Sequence, residues 1–87
     1  MKKVYQYTLV IFVSGQRRAD DEFVVIHEYV NIELDHPITF EDGKKATQDI
    51  RSKVVNGKDT TFSQIKRCFV ENIIKWGIEG LVEKTEG

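Results

Sequence analysis

Residues 61–76 read TFSQIKRCFVENIIKW, and whether this stretch is a helix or a strand decides the fold. Thr61 and Gln64 have capping-box spacing, in which two side chains satisfy free amides at a helix start. Phe62, Ile65, Phe69, Ile73 and Trp76 then recur at intervals of three, four, four and three, the spacing of one helical face, and Gly77 is a ready stop. Read as a strand, the stretch mixes Ile65, Phe69 and Ile73 with Arg67, Glu71 and Lys75 on one face, a poor alternation. The spacing predicts a helix over 62–76; the alternative is a final strand near 70–76.

Upstream of it, a second helical pattern runs over 40–55. Thr39 can cap its start, with Asp42 as a short capping-box acid. Glu41 and Asp42 suit the positive end of the helix dipole, and Phe40, Ala46, Ile50 and Val54 form the apolar stripe. Gly43 weakens this helix by about 1 kcal/mol relative to alanine. Asn56-Gly57 ends it.

The N-terminal third is β-patterned. Val4 to Val13 puts Val4, Gln6, Thr8, Val10 and Phe12 on one face and Tyr5, Tyr7, Leu9, Ile11 and Val13 on the other. Its second half is apolar on both faces, which asks for cover on both sides or for contact with another chain. Phe23 to Leu34 alternates Val24, Ile26, Val30, Ile32 and Leu34 against Phe23, Val25, His27, Tyr29, Asn31 and Glu33, so the two runs form an antiparallel hairpin. Glu28 interrupts the apolar face: a bulge, an inward guard against edge pairing and a functional acid each account for it. Pro37 ends the hairpin because it lacks an amide hydrogen. The expected fold class is α+β: a hairpin (4–13 and 23–34) followed by two helices (40–55 and 62–76), ββαα, with ββαβ as the alternative. Eighty-seven residues make one domain, 1–87, with 83–87 frayed.

Composition narrows the function classes. Forty per cent hydrophobic residues and nine aromatics exclude disorder. Cys68 is the one cysteine, so no internal disulfide and no paired-cysteine zinc site can form, which suits a reducing, cytoplasmic setting. The Met-Lys-Lys start and the apolar run from Leu9 look superficially like a signal peptide, but removing them would delete the best strand. No stretch is long enough to span a membrane. His27 with Glu28 and His36 with Asp35 suggest a metal site only weakly, since strand neighbours point to opposite faces. Cys68 reads as core, and no nucleophile, P-loop or metalloprotease spacing occurs. The expectation is a non-enzymatic protein with no metal and no cofactor.

The net charge of −1 conceals sorting. Residues 20–42 hold eight acids and no lysine or arginine, whereas 43–67 hold seven cations and two acids. Asp20, Asp21, Glu22, Glu33 and Asp35 therefore become candidate contacts for a basic protein partner. Val70, Ile74 and Trp76 join them, because the apolar arc of the 62–76 segment exceeds what one sheet face covers. That excess also points to a homodimer. The alternative is nucleic-acid binding through Lys44, Lys45, Arg51, Lys66 and Arg67, with Lys58 extending the patch, set against a pI of about 6.1.

In length and in its lack of catalytic spacing the chain resembles the short inhibitor proteins of bacteriophages and mobile elements, anti-CRISPR proteins among them. The resemblance covers size and style alone and carries over no residue. It implies a small inhibitor that acts by surface occlusion.

Overall fold

The computed structural model describes residues 2–56 and 61–84. It is α+β: β1 (Lys2–Arg17), β2 (Phe23–Leu34), α1 (Phe40–Asn56), β3 (Phe62–Lys75) and β4 (Leu81–Lys84). The hairpin and the first helix stand where the sequence puts them. The second helix does not exist. Residues 62–75 form the antiparallel edge strand β3, so the order is close to the ββαβ alternative, with a short fourth strand added.

β1 is the central strand. β2 flanks it on one side, and on the other β3 pairs with Tyr7 to Arg17 while β4 pairs with Lys2 to Tyr5. β3 and β4 thus form one edge, interrupted by an excursion over 76–80 that Gln6 pins at both ends. Its N–H donates to the Gly80 carbonyl at 2.8 Å and its carbonyl accepts from the Trp76 N–H at 3.1 Å. Glu83 and Lys84 lie opposite Lys3 and Lys2; of the terminal segment expected to fray, 85–87 lie outside the described residues.

The misread segment has a physical explanation. Pairing of β3 with β1 slips at three points, leaving Ser63, Lys66 and Glu71 without direct partners. Each slip inserts one residue into the two-residue alternation of a strand. The residues opposite helix-side Arg17, Gly15, Val13, Ile11 and Leu9 are therefore Phe62, Ile65, Cys68, Val70 and Ile73, spaced three, three, two and three. The helical stripe read from the sequence thus combines helix-side Phe62, Ile65 and Ile73, thrown out of strand alternation by the bulges, with Phe69 and Trp76 of the opposite face.

α1 packs over β1 and β3 on one face of the sheet. Tyr7, Leu9, Ile11 and Val13 meet Ala46, Ile50, Val54 and Phe62 there in the buried core. Thr39 caps α1 as expected: its hydroxyl accepts the Asp42 N–H at 3.3 Å, and the Asp42 carboxylate accepts the Thr39 N–H at 3.0 Å. Two glycines are required by close approach. A Cβ on Gly15 would lie 2.1 Å from the Gln64 carbonyl, and one on Gly80, at φ +86°, would lie 2.6 Å from the Tyr7 ring.

Glu28 is not a bulge. The β1–β2 register runs unbroken from Tyr5 opposite Leu34 to Gln16 opposite Phe23, and the Glu28 carboxylate points to the helix side, 3.7 Å from Lys53 Nζ. No helix of the described residues is long and apolar enough to cross a membrane.

Candidate functional site

Among the described residues a single helix covers one face of the sheet and no element covers the other. Alternation places there Phe23, Val25, His27, Tyr29 and Asn31 from β2, Thr8, Val10, Phe12 and Ser14 from β1, and Arg67, Phe69, Asn72 and Ile74 from β3. This accounts for the doubly apolar β1: Val10 is buried between its cross-strand neighbours Tyr29 and Asn72, although no element among the described residues covers it. At the centre Phe12 stacks on Phe69 with centroids 5.0 Å apart, and His27 meets Phe12 edge-on at 5.7 Å. Glu71, freed by its bulge, reaches His27 Nε2 at 3.1 Å.

Trp76 closes one end of this face. Its indole N–H donates to Thr8 Oγ1 at 2.9 Å, and the Thr8 hydroxyl donates to Asn31 Oδ1 at 2.6 Å. The relay satisfies the polar groups beneath the ring and leaves its apolar surface outward. Trp76 is 50% exposed and Tyr29 67%, with Phe23, Val25, Phe69 and Ile74 all at least 44% exposed. Large apolar side chains grouped on one uncovered face mark a contact surface, whereas scattered ones mark nothing.

Of the expected anchors, Ile74 and Trp76 lie on this face. Val70 does not: it points to the helix side, 3.6 Å from where a Gly43 Cβ would stand. The expected acids disperse into local roles. Asp20 grips Arg17 through both carboxylate oxygens and accepts the Glu22 N–H at 3.2 Å, which holds its carboxyl below the usual range. Glu33 pairs with Lys84 at 2.8 Å, and this hydrogen bond lowers its pKa. Asp35 holds His36 Nδ1 at 2.6 Å while Asp42 holds Nε2 at 2.8 Å. Asp21 and Glu22 make no ion pair among the described residues.

The basic residues also divide. Lys44 and Arg51 line a groove of about 770 Å³ between α1 and β3, floored by Gly43, Cys68, Val70 and Ile73. Lys45 lies on the other flank of α1 beside Asp42 and Asp49. Lys66 is a bulge residue, and Arg67 belongs to the bare face. Five cations on several surfaces form no continuous phosphate track; Lys58 lies outside the described residues. Cys68 faces the helix, with Sγ 3.8 Å from the Thr47 carbonyl, and burial pushes its thiol above the ordinary range, opposite to what an activated nucleophile needs. No group of three His, Cys, Asp or Glu among the described residues could hold a metal ion.

Sequence reasoning missed Phe12, Tyr29 and Phe69 as one surface. The signal was present, since Phe23, Val25, His27 and Tyr29 share a strand face with too many apolar members for solvent, but without β3 the face had no second side. Compared with protein-family models, curated proteins and solved structures, the chain matches none.

Proposed function

We propose that the chain is a small non-enzymatic protein-binding module whose contact surface is the bare face of its sheet, consistent with an inhibitor that acts by occlusion. One observation carries this reading: exposed aromatic and aliphatic side chains of β2 and β3, with Trp76, converge there around the stack of Phe69 on half-buried Phe12 of β1. Interface anchors are enriched in Trp and Tyr because these rings bury large area with few rotors to freeze. The paired states of Asp20, Glu33 and Asp35 leave the acidic block a weak steering role, with the apolar face supplying the affinity.

The test is affinity purification from host lysate with the wild type and with a Val25→Ser, Tyr29→Ser, Ile74→Ser variant. A stoichiometric partner retained by the first and lost by the second supports the reading. A partner indifferent to these substitutions overturns it.

A second reading, single-stranded nucleic acid on the same face, is favoured by Arg67 sharing that face with stacked Phe12 and Phe69. Aromatic platforms beside cations take unpaired bases. A gel shift with single-stranded DNA and RNA at low salt checks it; no shift removes it.

A further inference from the structure

We propose that the free edge of β2 is a self-pairing interface, joining two copies of this chain in an antiparallel ladder centred on Tyr29. The proposal stands apart from the partner-binding reading, because it concerns the strand's edge rather than its face.

Among the described residues the sheet has two unpaired edges, and the chain treats them differently. The β3 edge carries three bulges together with Lys66, Arg67, Glu71 and Lys75, devices that blunt strand addition. β2 runs twelve residues in unbroken register with β1 and contains no proline, lysine, arginine or bulge. Among the described residues, no strand pairs with β2 on its outer side. A long, regular strand edge whose one inward charge is Glu28 is either a hazard or an interface.

Backbone geometry says which groups wait there. The Arg17 N–H donates to the Glu22 carbonyl at 2.8 Å, one step beyond the Gln16–Phe23 pair, while Gln6 bonds toward the opposite edge. In an antiparallel ladder bonded residues alternate. Phe23, Val25, His27, Tyr29, Asn31 and Glu33 therefore turn their N–H and C=O groups outward.

The side chains then select the occupant. A two-fold axis perpendicular to the sheet pairs residues of like parity and keeps both helices on one side. Two registers align nearly the whole strand, one centred on Glu28 and one on Tyr29. The first sets Glu28 against its own image, and directly opposed like charges are destabilising. The second sets Glu28 against Val30 of the second copy, Glu33 against Val25, Ile26 against Ile32 and Val24 against Leu34. No acid stands directly opposite an acid, the two Glu28 residues being only diagonal neighbours, and the half-buried helix-side strip of β2 continues across the junction. β2 is complementary to itself in this register.

Sedimentation equilibrium of the full chain is expected to show a reversible dimer. Val25→Glu opposes a carboxylate to Glu33 twice by symmetry and is expected to weaken the dimer about three- to tenfold, while Val25→Lys preserves or tightens it. Val25 is 45% exposed, so both variants are expected to fold, which circular dichroism checks. In a Cys68→Ser background, Tyr29→Cys is expected to give a covalent dimer with a short bis-thiol cross-linker. Phe23→Cys is not, because in this register its image lies twelve residues along the ladder, about 40 Å away. A monomer at hundreds of micromolar, equal effects of the two Val25 variants, or equal cross-linking of Phe23→Cys and Tyr29→Cys would each overturn the proposal.

Discussion

Glu71, the residue that bulges out of β3, brings its carboxylate 3.1 Å from His27 Nε2 on β2, two strands away. The contact spans the full width of the bare face over Phe12. Because Glu71 has no direct partner in the β1 ladder, deleting it restores plain alternation between Val70 and Asn72 and moves no other side chain to the wrong face. The deletion is expected to lose at most about 2 kcal/mol, with the far-ultraviolet spectrum kept. Deleting Val10 from β1 flips half of the central strand and is expected to abolish folding. Urea denaturation of both deletions checks the contrast.

The same bulges mark the limit of what the chain discloses before folding. β1, β2 and α1 were legible because each follows one period throughout, and the cap at Thr39 and Asp42 is a local bond set that spacing alone specifies. β3 was not, because its period is set by the partner strand. Ser63, Lys66 and Glu71 are extra only relative to β1, and no local property of those residues says so. Once 62–76 is read as a helix, the bare face disappears with it. Ile74 and Trp76 remain as anchors of an arc while Phe69 is assigned to the core. The acids failed for a related reason: Asp20 with Arg17 is a short-range pair, but Glu33 with Lys84 depends on β4 joining the sheet.

The relay from Trp76 through Thr8 to Asn31 makes Thr8 the sensitive member, since it is 8% exposed and serves both neighbours. Thr8→Val keeps the shape but leaves the indole N–H and the Asn31 carbonyl oxygen without this partner. A loss of about 1–3 kcal/mol is expected. Trp76→Phe removes the donor together with its need and is expected to cost less, about 1 kcal/mol. Trp76 is the one tryptophan, so fluorescence reads the wild type and Thr8→Val directly; circular dichroism reads Trp76→Phe.

His36 is held between Asp35 and Asp42 at the entry to α1, and the hydrogen bonds its ring donates to these two carboxylates raise its pKa above 6.5. A raised folded-state value contributes stability that is complete below 6.5 and lost as pH rises through the raised value. Asp35 and Asp42 have lowered values, both chiefly through His36, so their contribution holds above 3.8 and fades as pH falls through the lowered values. Melting temperatures of the wild type are expected to fall from mildly acidic toward mildly alkaline pH relative to His36→Asn. Parallel curves for the two proteins across that range would remove the claim.

Gly80 sits at φ +86°, and a Cβ there would lie 2.6 Å from the ring of Tyr7, which is buried and accepts the Ile38 N–H at 3.1 Å through its hydroxyl. Gly80→Ala therefore combines backbone strain with displacement of a ring that ties the sheet to the entry of α1. A loss of about 2–4 kcal/mol is expected, with strain and overpacking each supplying part. Double substitution with Tyr7→Leu is expected to be less than additive, because the smaller side chain removes the clash.

Glu28 is the one acid on the helix side of β2, between Ile26 and Val30 in the alternation, and its pairing with Lys53 spans 3.7 Å with the lysine side chain 54% exposed. A pair this open contributes little, so Glu28→Val is expected to change unfolding free energy by no more than about 1 kcal/mol. Its larger effect falls on association. The substitution joins Val24 and Ile26 to Val30 and Ile32 in an uninterrupted apolar strip along the β2 edge, and it removes the charge that disfavours the register centred on Glu28. With more than one register open, pairing no longer closes on a single dimer. Glu28→Val is expected to precipitate on warming at concentrations where the wild type stays clear, and Glu28→Lys is expected to stay clear, since an inward charge of either sign guards the edge. Light scattering against time separates these outcomes, and a Glu28→Val chain as soluble as the wild type would show that the edge is protected by something other than this carboxylate.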